Sequence, residues 1–264
     1  MVRPAPTVEP VAGEPAATVD LDGERALLIA DYHAGIEAGL RYERGVELPN
    51  NAAERRQRLL SVLGSTDADR LVVLGDLGHE LGEPAGVERE ELDALFGSVV
   101  DDRGIEITVA PGNHDGELAG VVNDREGVTI LPPSGGLLGE GAVGVAHGHT
   151  WPDSDLLSAS TICLGHEHPQ VKLEDSVGGH RVEQAWLRGR VNPAALIDGD
   201  DADPPVDTTG LPELVVFPAF NDRSGGTWVN VDGQEFLAPF LPAAFVDADC
   251  YLLDGTRLGP YRGV

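Results

Sequence analysis

Five short apolar runs, each followed at once by Asp, Asn or His, constrain this 264-residue chain more than any other feature. The polar ends of the runs are Asp31-Tyr32-His33, Gly75-Asp76-Leu77-Gly78-His79, Gly112-Asn113-His114-Asp115, His147-Gly148-His149 and His166-Glu167-His168. Alternate residues of an extended chain project to the same side. His166 and His168 therefore have the spacing needed to point together at one object.

The first three apolar runs alternate with helical stretches. "NNAAERRQRLLSVLG" has an Asn start, strong helix formers and a Gly stop, which together predict a helix, and "VEREELDALFGSVVDD" predicts a second. The strands "ALLIADYH", "RLVVLGD" and "GIEITVAPGNHD" precede, separate and follow these helices. This β-α-β-α-β order predicts a parallel sheet with helical cover.

The second half of the chain is rich in predicted strands. "AVGVAHGHT" and "TICLGHEHP" are short strands, and "HPQVKLEDSVGGHRVEQAWLRG" alternates as an antiparallel hairpin does. "ELVVFPAF", "GGTWVNV" and "DADCYLLDG" complete a second β-rich layer. We therefore expect an α/β fold, a four-layer αββα sandwich of two mixed β-sheets flanked by helices. It forms one domain over residues 1–264, with a frayed tail at 1–7 and an acidic mobile loop at 198–210.

The strand ends predict a metal site. In parallel α/β sheets, sites gather outside the carboxyl ends of the strands, so these five ends should converge on one crevice. Their carboxylate, imidazole and amide groups include no thiolate, and Cys163 lies inside an apolar run, where a buried side chain is expected. This donor set favours Mn, Fe or Zn ahead of copper.

The charge of the chain limits its partners. Forty-five acids against eighteen Lys and Arg, of which only Lys172 is a lysine, leave a net charge of −27. We interpret this as an adaptation to salty solvent, similar to that of salt-loving archaea. It disfavours a broad electrostatic grip on nucleic acid, although molar salt would weaken that objection. No apolar run reaches about 18 residues and no apolar signal core begins the chain, so we expect a cytoplasmic protein with no membrane span.

The order of these motifs resembles that of the calcineurin-like metallophosphoesterases. Their string D-x-H, G-D-x-x, G-N-H-[DE], H and G-H-x-H covers Asp31 to His168 here. The stretches "ADYHAGIEAG", "LGDLGH", "HGHTWP", "GHEHPQVKLED" and "FPAFNDRSGG" are similar to those of the ligase-associated, DNA-damage-response phosphoesterases (PdeM type) and their archaeal relatives. The resemblance implies a DNA-repair setting.

The resemblance also implies a centre of two divalent cations, with Mn²⁺ the first choice and Fe or Zn the alternatives. The ligands it implies are Asp31, His33, Asp76 and His168 for the first ion, and Asp76, Asn113, His147 and His166 for the second. Asp76 would bridge the two. Two cations about 3.5–4 Å apart can share a hydroxide that attacks phosphorus and can clamp a phosphoryl oxygen.

Further side chains at the strand ends have more open roles. The resemblance implies that His114 is a general acid near the leaving oxygen and that Asp115 orients it, a function that typically contributes about 10²–10⁴-fold. His147 and His149 compete for one ligand position. We favour His147, which leaves the strand first, so that His149 contacts substrate. His79 is a candidate for supporting a ligand, for binding substrate or for packing.

Outside the strand ends, the stretch "RYERGVELPNNAAERRQR" is rich in arginine. Arginine forks match phosphate geometry, and Arg41 is the best candidate for substrate binding. Pairing of these arginines with Glu37, Glu43, Glu47 and Glu54 on a solvated helix is the favoured alternative. We expect Glu167, between the paired histidines, to point away from the metals into a structural hydrogen bond, and His180 to be a surface residue.

Three functions are compatible with these motifs. The leading one is a metal-dependent phosphoesterase acting on a phosphodiester, in nucleic acid or a nucleotide. Its nearest rival is a phosphomonoesterase acting on a small molecule. The third is a non-catalytic scaffold of the same fold, but such proteins lack the G-N-H histidine or several ligands, whereas this chain has His114 and fills every ligand position. The oligomeric state does not follow from the sequence.

Overall fold

The computed structural model describes residues 7–122, 125–174, 178–198 and 207–264. Within these ranges the chain folds into two mixed β-sheets that pack face to face. Residues 1–6 of the predicted tail and 199–206 of the predicted acidic loop lie outside the described residues. No helix in the described ranges is long and apolar enough to cross a membrane.

The first sheet is built from strands of the amino-terminal half. Its strands, in spatial as well as chain order, are β1 (Glu9–Pro10), β2 (Ala16–Leu21), β3 (Glu24–Ile29), β4 (Arg70–Val73), β5 (Glu106–Val109) and β6 (Val128–Ile130). Strands β3 to β6 are parallel, and β1 and β2 add an antiparallel edge. The predicted parallel sheet is therefore confirmed.

The second sheet is built from strands of the carboxyl-terminal half. They are β7 (Gly136–Leu138), β8 (Val143–Ala146), β9 (Thr161–Leu164), β10 (Gln170–Glu174), β11 (His180–Val191), β12 (Glu213–Val216), β13 (Phe245–Leu252) and β14 (Arg257–Pro260). The order is β14-β13-β11-β12-β9-β8-β7, and β10 pairs with β11 as the predicted hairpin. Strands β8, β9 and β12 are mutually parallel, so their carboxyl ends lie at one edge.

Helices cover the outer face of the first sheet. The described α-helices are α1 (Ile36–Arg44), α2 (Ala52–Thr66), α3 (Gly86–Phe96), α4 (Leu118–Val122) and α5 (Pro193–Asp198). Leu63 of α2 and Leu95 of α3 pack with Leu27 of β3, whereas Leu28 of β3 faces the second sheet. Both faces of β3 are thus buried, which explains its unbroken apolar sequence.

The outer face of the second sheet is covered mostly by irregular chain. Leu196 of α5, Leu156 of a short 3₁₀ helix and Phe240 pack there with Leu187 of β11. The four-layer αββα fold is confirmed, with little helix in the fourth layer. Two local expectations were wrong. Helix α2 continues through Gly64 to Thr66, and "GGTWVNV" forms a single bridge between Trp228 and Gln170 instead of a strand.

Candidate metal centre

The loops that follow the parallel strands of both sheets meet at one edge. Asp31 and His33 donate backbone hydrogen bonds to the carbonyls of Gly75 and Asp76, at 3.0 and 2.9 Å. The backbone N–H of His166, after β9, donates to Oδ2 of Asp31 at 3.2 Å. The first two bonds link the loops after β3 and β4, and the third joins the two sheets, so that ligand-type side chains lie in one crevice.

A first cluster of ligand-type atoms comprises Asp31, His33 and His168, whose atoms lie within 4.8 Å of one another. Nδ1 of His168 is 2.7 Å from the carbonyl of Gly225, which only accepts, so Nδ1 carries the hydrogen. Nε2 of His168 is buried and makes no hydrogen bond in the described structure, although Oδ1 of Asp31 is 3.0 Å away. Two acceptor atoms this close require a cation, either a proton or a metal ion, between them.

A second cluster comprises Asp76, His147 and His166, within the same 4.8 Å limit. Nδ1 of His147 donates to the carbonyl of Leu74 at 2.7 Å, which turns Nε2 toward the cluster. That Nε2 lies 3.1 Å from Nδ1 of His166 and 3.5 Å from Oδ2 of Asp76. Anchoring of the distal ring nitrogen is the usual way in which a protein orients a histidine ligand.

Asp76 faces both clusters. Its Oδ2 lies 3.8 Å from Nε2 of His33 in the first cluster and 3.5 Å from Nε2 of His147 in the second. Its Oδ1 accepts the backbone N–H of His114 at 3.0 Å. Gly112 makes room for this carboxylate, because a Cβ at residue 112 would lie 2.1 Å from Oδ1. The arrangement is that of a carboxylate shared between two neighbouring sites.

The charges in the crevice favour cation binding. Burial acts to raise the pKa of both Asp31 and Asp76, but the neighbouring histidines outweigh it and hold both values below the ordinary one. Burial lowers the pKa of His33 to about 3 and that of His166 to about 4. At neutral pH the crevice therefore contains ionised carboxylates beside neutral imidazoles at His33 and His166. Burial also opposes the charge of His147 and His168, but the carboxylates outweigh it: Asp76 raises the pKa of His147 to about 9, and Asp31 raises that of His168.

The backbone at these positions is unusual. Five non-glycine residues here have a positive φ: 56° at Asp31, 51° at His33, 49° at Asp76, 69° at His166 and 43° at His168. Non-glycine residues seldom occupy this left-handed region, and each instance carries a cost that the surrounding structure must offset. Five such residues in one crevice indicate that the loops are held in place to direct side chains at a common target.

Comparison with known proteins identifies the family. Residues 24–197 match the calcineurin-like phosphoesterases, and this range includes both clusters. The chain belongs to the calcineurin-like phosphoesterase family. A search of curated proteins finds no match to the chain.

One solved structure shows the same fold, and a second match is weaker. The nuclease MPE of Pseudomonas putida superposes with a TM-score of 0.55 at 17% identity, covering 96% of this chain and 100% of that one. The phosphoesterase YfcE of E. coli has 14% identity over 89% of this chain and 97% of its own, with a TM-score of 0.37. The first of these supports the fold assignment.

In this calcineurin-like phosphoesterase, His114 lies beside both clusters. Its ring is 5.3 Å from that of His33, and its Nε2 is 4.0 Å from Oδ2 of Asp76. Nδ1 of His114 hydrogen-bonds the carbonyl of His79, and the two rings stack at 5.4 Å. Nε2 of His114 therefore faces Asp76 while Nδ1 is held by the backbone. His79 packs against the rings of both His33 and His114.

Asp115 has a different partner from the one expected. Its Oδ1 accepts the N–H of Gly78 at 3.0 Å, and its Oδ2 accepts those of Leu77 at 3.2 Å and Gly112 at 2.9 Å. These bonds tie the loop after β4 to the loop after β5. The expectation that Asp115 orients His114 stays a prediction, and the described ring hydrogen bond of His114 goes to a backbone carbonyl.

The remaining candidates lie at different distances from the clusters. The ring of His149 is 5.4 Å from that of His147 and 6.2 Å from that of His166, and its buried Nδ1 has no described hydrogen-bond partner. Asn113 is exposed in the turn after β5. Arg41 is exposed on the last turn of α1, outside both clusters.

Two carboxylates outside the clusters support the loops. The expectation for Glu167 is confirmed, since Oε1 accepts the N–H of Ala238 at 2.6 Å and Oε2 accepts the hydroxyl of Thr227 at 2.9 Å.

Arg55 is buried rather than solvated. It pairs with Glu37, as expected, and also with Glu91, and Glu91 accepts the N–H of Gly35 just after His33.

Sequence reasoning missed the role of the loop at 217–226. The N–H of Asn221 donates to the carbonyl of Asp31 at 3.1 Å, and its side-chain amide donates to that of Tyr32 at 3.0 Å. Gly225 supplies the carbonyl that anchors His168, and a Cβ on Gly226 would lie 2.1 Å from the His168 carbonyl. The stretch "FPAFNDRSGG" was the available signal, but nothing in it reveals which strand it touches.

Proposed function

We propose that this protein is a metal-dependent phosphoesterase with a dinuclear centre, acting on phosphodiesters. The observation that carries the proposal is the position of Asp76, whose Oδ2 faces a histidine nitrogen of each cluster at 3.8 and 3.5 Å. The first ion would be held by Asp31, His33, His168 and Asp76, and the second by Asp76, Asn113, His147 and His166.

The residues present fit a pair of divalent ions. The buried Nε2 of His168 has no described hydrogen-bond partner beside an ionised carboxylate, as a ligand atom would without its ion. Imidazole, carboxylate and amide donors without thiolate suit Mn, Fe or Zn. Mn²⁺ is our first choice. When bound, such ions supply Lewis acidity and lower the pKa of water enough for attack on phosphorus at neutral pH.

The other steps belong to side chains of the chain itself. Nδ1 of His114 donates to the His79 carbonyl, which fixes the ring and leaves Nε2 to transfer a proton to the leaving oxygen. Asp115 keeps the loops that carry Asp76 and His114 in register through three backbone hydrogen bonds. His149 lies close enough to the second cluster to contact substrate.

A diester substrate, in nucleic acid or a nucleotide, is favoured over a monoester. A nuclease shares this fold, and the sequence motifs resemble those of DNA-damage-response phosphoesterases. The net charge of −27 opposes an electrostatic grip on DNA. A small phosphomonoester is the second candidate, and a scaffold without activity is disfavoured because every ligand position is filled.

The test is hydrolysis by metal-reconstituted protein in high salt. The substrates are bis-p-nitrophenyl phosphate, p-nitrophenyl phosphate, cyclic nucleotides and single-stranded DNA, each with Mn²⁺, Zn²⁺ or Fe²⁺. We expect cleavage of diesters and its loss in His114→Ala. Hydrolysis of nothing under any metal would end the enzymatic proposal. Much faster cleavage of the monoester than of every diester would select the second candidate.

A further inference from the structure

Two of the three tryptophans in the chain lie exposed beside the candidate metal centre. Trp151 and Trp228 are 38% and 39% exposed, whereas Trp186 is buried between the sheets. Leu237, 57% exposed, precedes Ala238, which hydrogen-bonds Glu167 between the two cluster histidines. We call Trp151, Trp228 and Leu237 the tryptophan rim. Scattered exposed apolar residues are ordinary, but a group of them beside a candidate site marks a binding surface.

The rim is joined to the centre through the segments that carry it. Trp151 is two residues beyond His149, so their Cα atoms are at most about 7 Å apart. Its ring packs on the buried ring of Phe240 at 5.8 Å, which fixes the position of the exposed face. The rim therefore begins on the loop that leaves β8 at the second cluster.

Trp228 lies on a segment that contacts the turn carrying His166 and His168. Its backbone bridges Gln170, which is two residues after His168. The neighbouring Thr227 donates its hydroxyl to Glu167, the residue between the two cluster histidines. Glu167 also accepts the N–H of Ala238, next to Leu237. The buried carboxylate of Glu167 thus holds the segments of Trp228 and Leu237 against the turn that carries His166 and His168.

We propose that the tryptophan rim is a stacking platform for nucleobases next to the phosphodiester that the centre acts on. The proposal rests on the proposed function and specifies its substrate class. An indole ring stacks favourably on any nucleobase, so this contact does not depend on the base sequence of the strand. Stacking releases few counterions, so it retains affinity where salt screens charge. Stacking therefore gives an acidic chain that lacks a broad electrostatic grip a means of binding a nucleic-acid strand.

The test is binding of metal-free protein followed by tryptophan fluorescence. A short oligothymidylate is compared with an abasic oligonucleotide of equal length and charge. We expect the base-bearing strand to quench fluorescence and to bind at least about tenfold tighter than the abasic one. We expect its affinity to change little between about 0.2 and 2 M salt. Trp186 is buried and should contribute a constant background.

Variants assign the effect to the rim. Trp151→Ala and Trp228→Ala should each weaken binding of the base-bearing strand by about tenfold and leave binding of the abasic strand unchanged. Trp151→Phe and Trp228→Phe should retain most of the affinity, which separates stacking from any loss of folding. Val182→Ala, which removes a side chain of equal exposure (39%) from β11, is the matched control.

Each contrary result has one meaning. Equal binding of the two strands, or unchanged binding by both alanine variants, would overturn the platform. So would loss of self-association in the alanine variants without loss of strand binding, which would assign the rim to a contact between copies. Adenosine monophosphate binding as tightly as the strand would identify a nucleotide as the occupant. Base-dependent binding without hydrolysis under any metal would leave the platform and end the proposed function.

Discussion

Oδ2 of Asp76 lies 3.5 Å from Nε2 of His147, while the same oxygen lies 3.8 Å from a histidine of the other cluster. One carboxylate therefore serves both halves of the crevice. Substitution of Asp76 should therefore weaken metal binding at both clusters, whereas substitution of another cluster residue should weaken it at one.

Asp76→Asn should lose metal from both positions. The amide keeps the oxygen that accepts the His114 N–H but loses the charge, so we expect metal affinity and activity to fall by at least about 100-fold. Metal content after dialysis, read beside activity, checks this. Asp67→Asn is the matched control, because Asp67 has the same φ of 49° at an exposed helix end. Full metal occupancy in Asp76→Asn would contradict the shared carboxylate.

His114→Ala should lose activity while retaining metal. His114 lies outside both clusters, so the variant should bind ions as wild type does and lose about 10²–10⁴-fold in kcat. If His114 donates a proton, the loss should be smaller for a p-nitrophenolate leaving group than for an alkoxide. The exposed His180→Ala is the control. An equal loss for both leaving groups would exclude proton donation.

Gly112→Ala should displace Asp76. The added Cβ would lie 2.1 Å from Oδ1 and 2.5 Å from the backbone nitrogen of Asp76, so one of the two residues must shift. We expect a loss of metal binding comparable with that of Asp76→Asn, measured by calorimetric titration. Gly120→Ala, where the added Cβ meets nothing within 4 Å, should bind metal normally. Normal titration of both variants would refute the close approach.

Glu167→Ala should destabilise the fold. It leaves the buried donors of Thr227 and Ala238 without an acceptor, at a cost of at least about 2 kcal/mol in the free energy of unfolding. Urea denaturation monitored by circular dichroism measures this. Glu174→Ala, at an exposed ion pair on β10, should change the value by less than about 0.5 kcal/mol. Similar midpoints for the two variants would be the contrary result.

The Glu37–Arg55 pair should make stability depend on pH in the acid range. Burial opposes ionisation of Glu37, but the hydrogen bond and charge of Arg55 outweigh it and lower its pKa below the ordinary 4.5. The folded state then binds fewer protons, so the contribution is complete above pH 4.5 and is lost as pH falls through the folded value. Glu37→Gln should be less stable at neutral pH and flatter below pH 4.5. Parallel denaturation curves would refute this.

The sequence was sufficient to predict the sheets and the convergence of the strand ends, because both follow from local patterns. An apolar run such as "RLVVLGD", when helices flank it, predicts a buried strand of a parallel sheet. The partners of individual side chains depended on the tertiary fold. The sequence around Arg55 predicts a surface residue of an arginine-rich helix, yet Arg55 is buried between Glu37 and Glu91 because α1 and α3 close over it.

The other contacts that the sequence did not predict have the same origin. "GGTWVNV" alternates as a strand does, but the chain there is occupied by bonds to Glu167 and Gln170 and makes no ladder. Asp115 adjoins His114 in sequence, while the carboxylate turns to three backbone N–H groups of nearby loops. Adjacency along the chain did not determine either contact, since each depends on which loop arrives opposite.

The left-handed backbone at Asp31, His33, Asp76, His166 and His168 restricts how this site can change over generations. Only Gly, Asn, Asp and His adopt that conformation with ease, and branched residues such as Val or Thr are strongly disfavoured. A descendant that abandoned catalysis but kept the fold would therefore retain small amides or glycines at these five points. A relative without catalytic activity should therefore have Asn or Gly at these five positions.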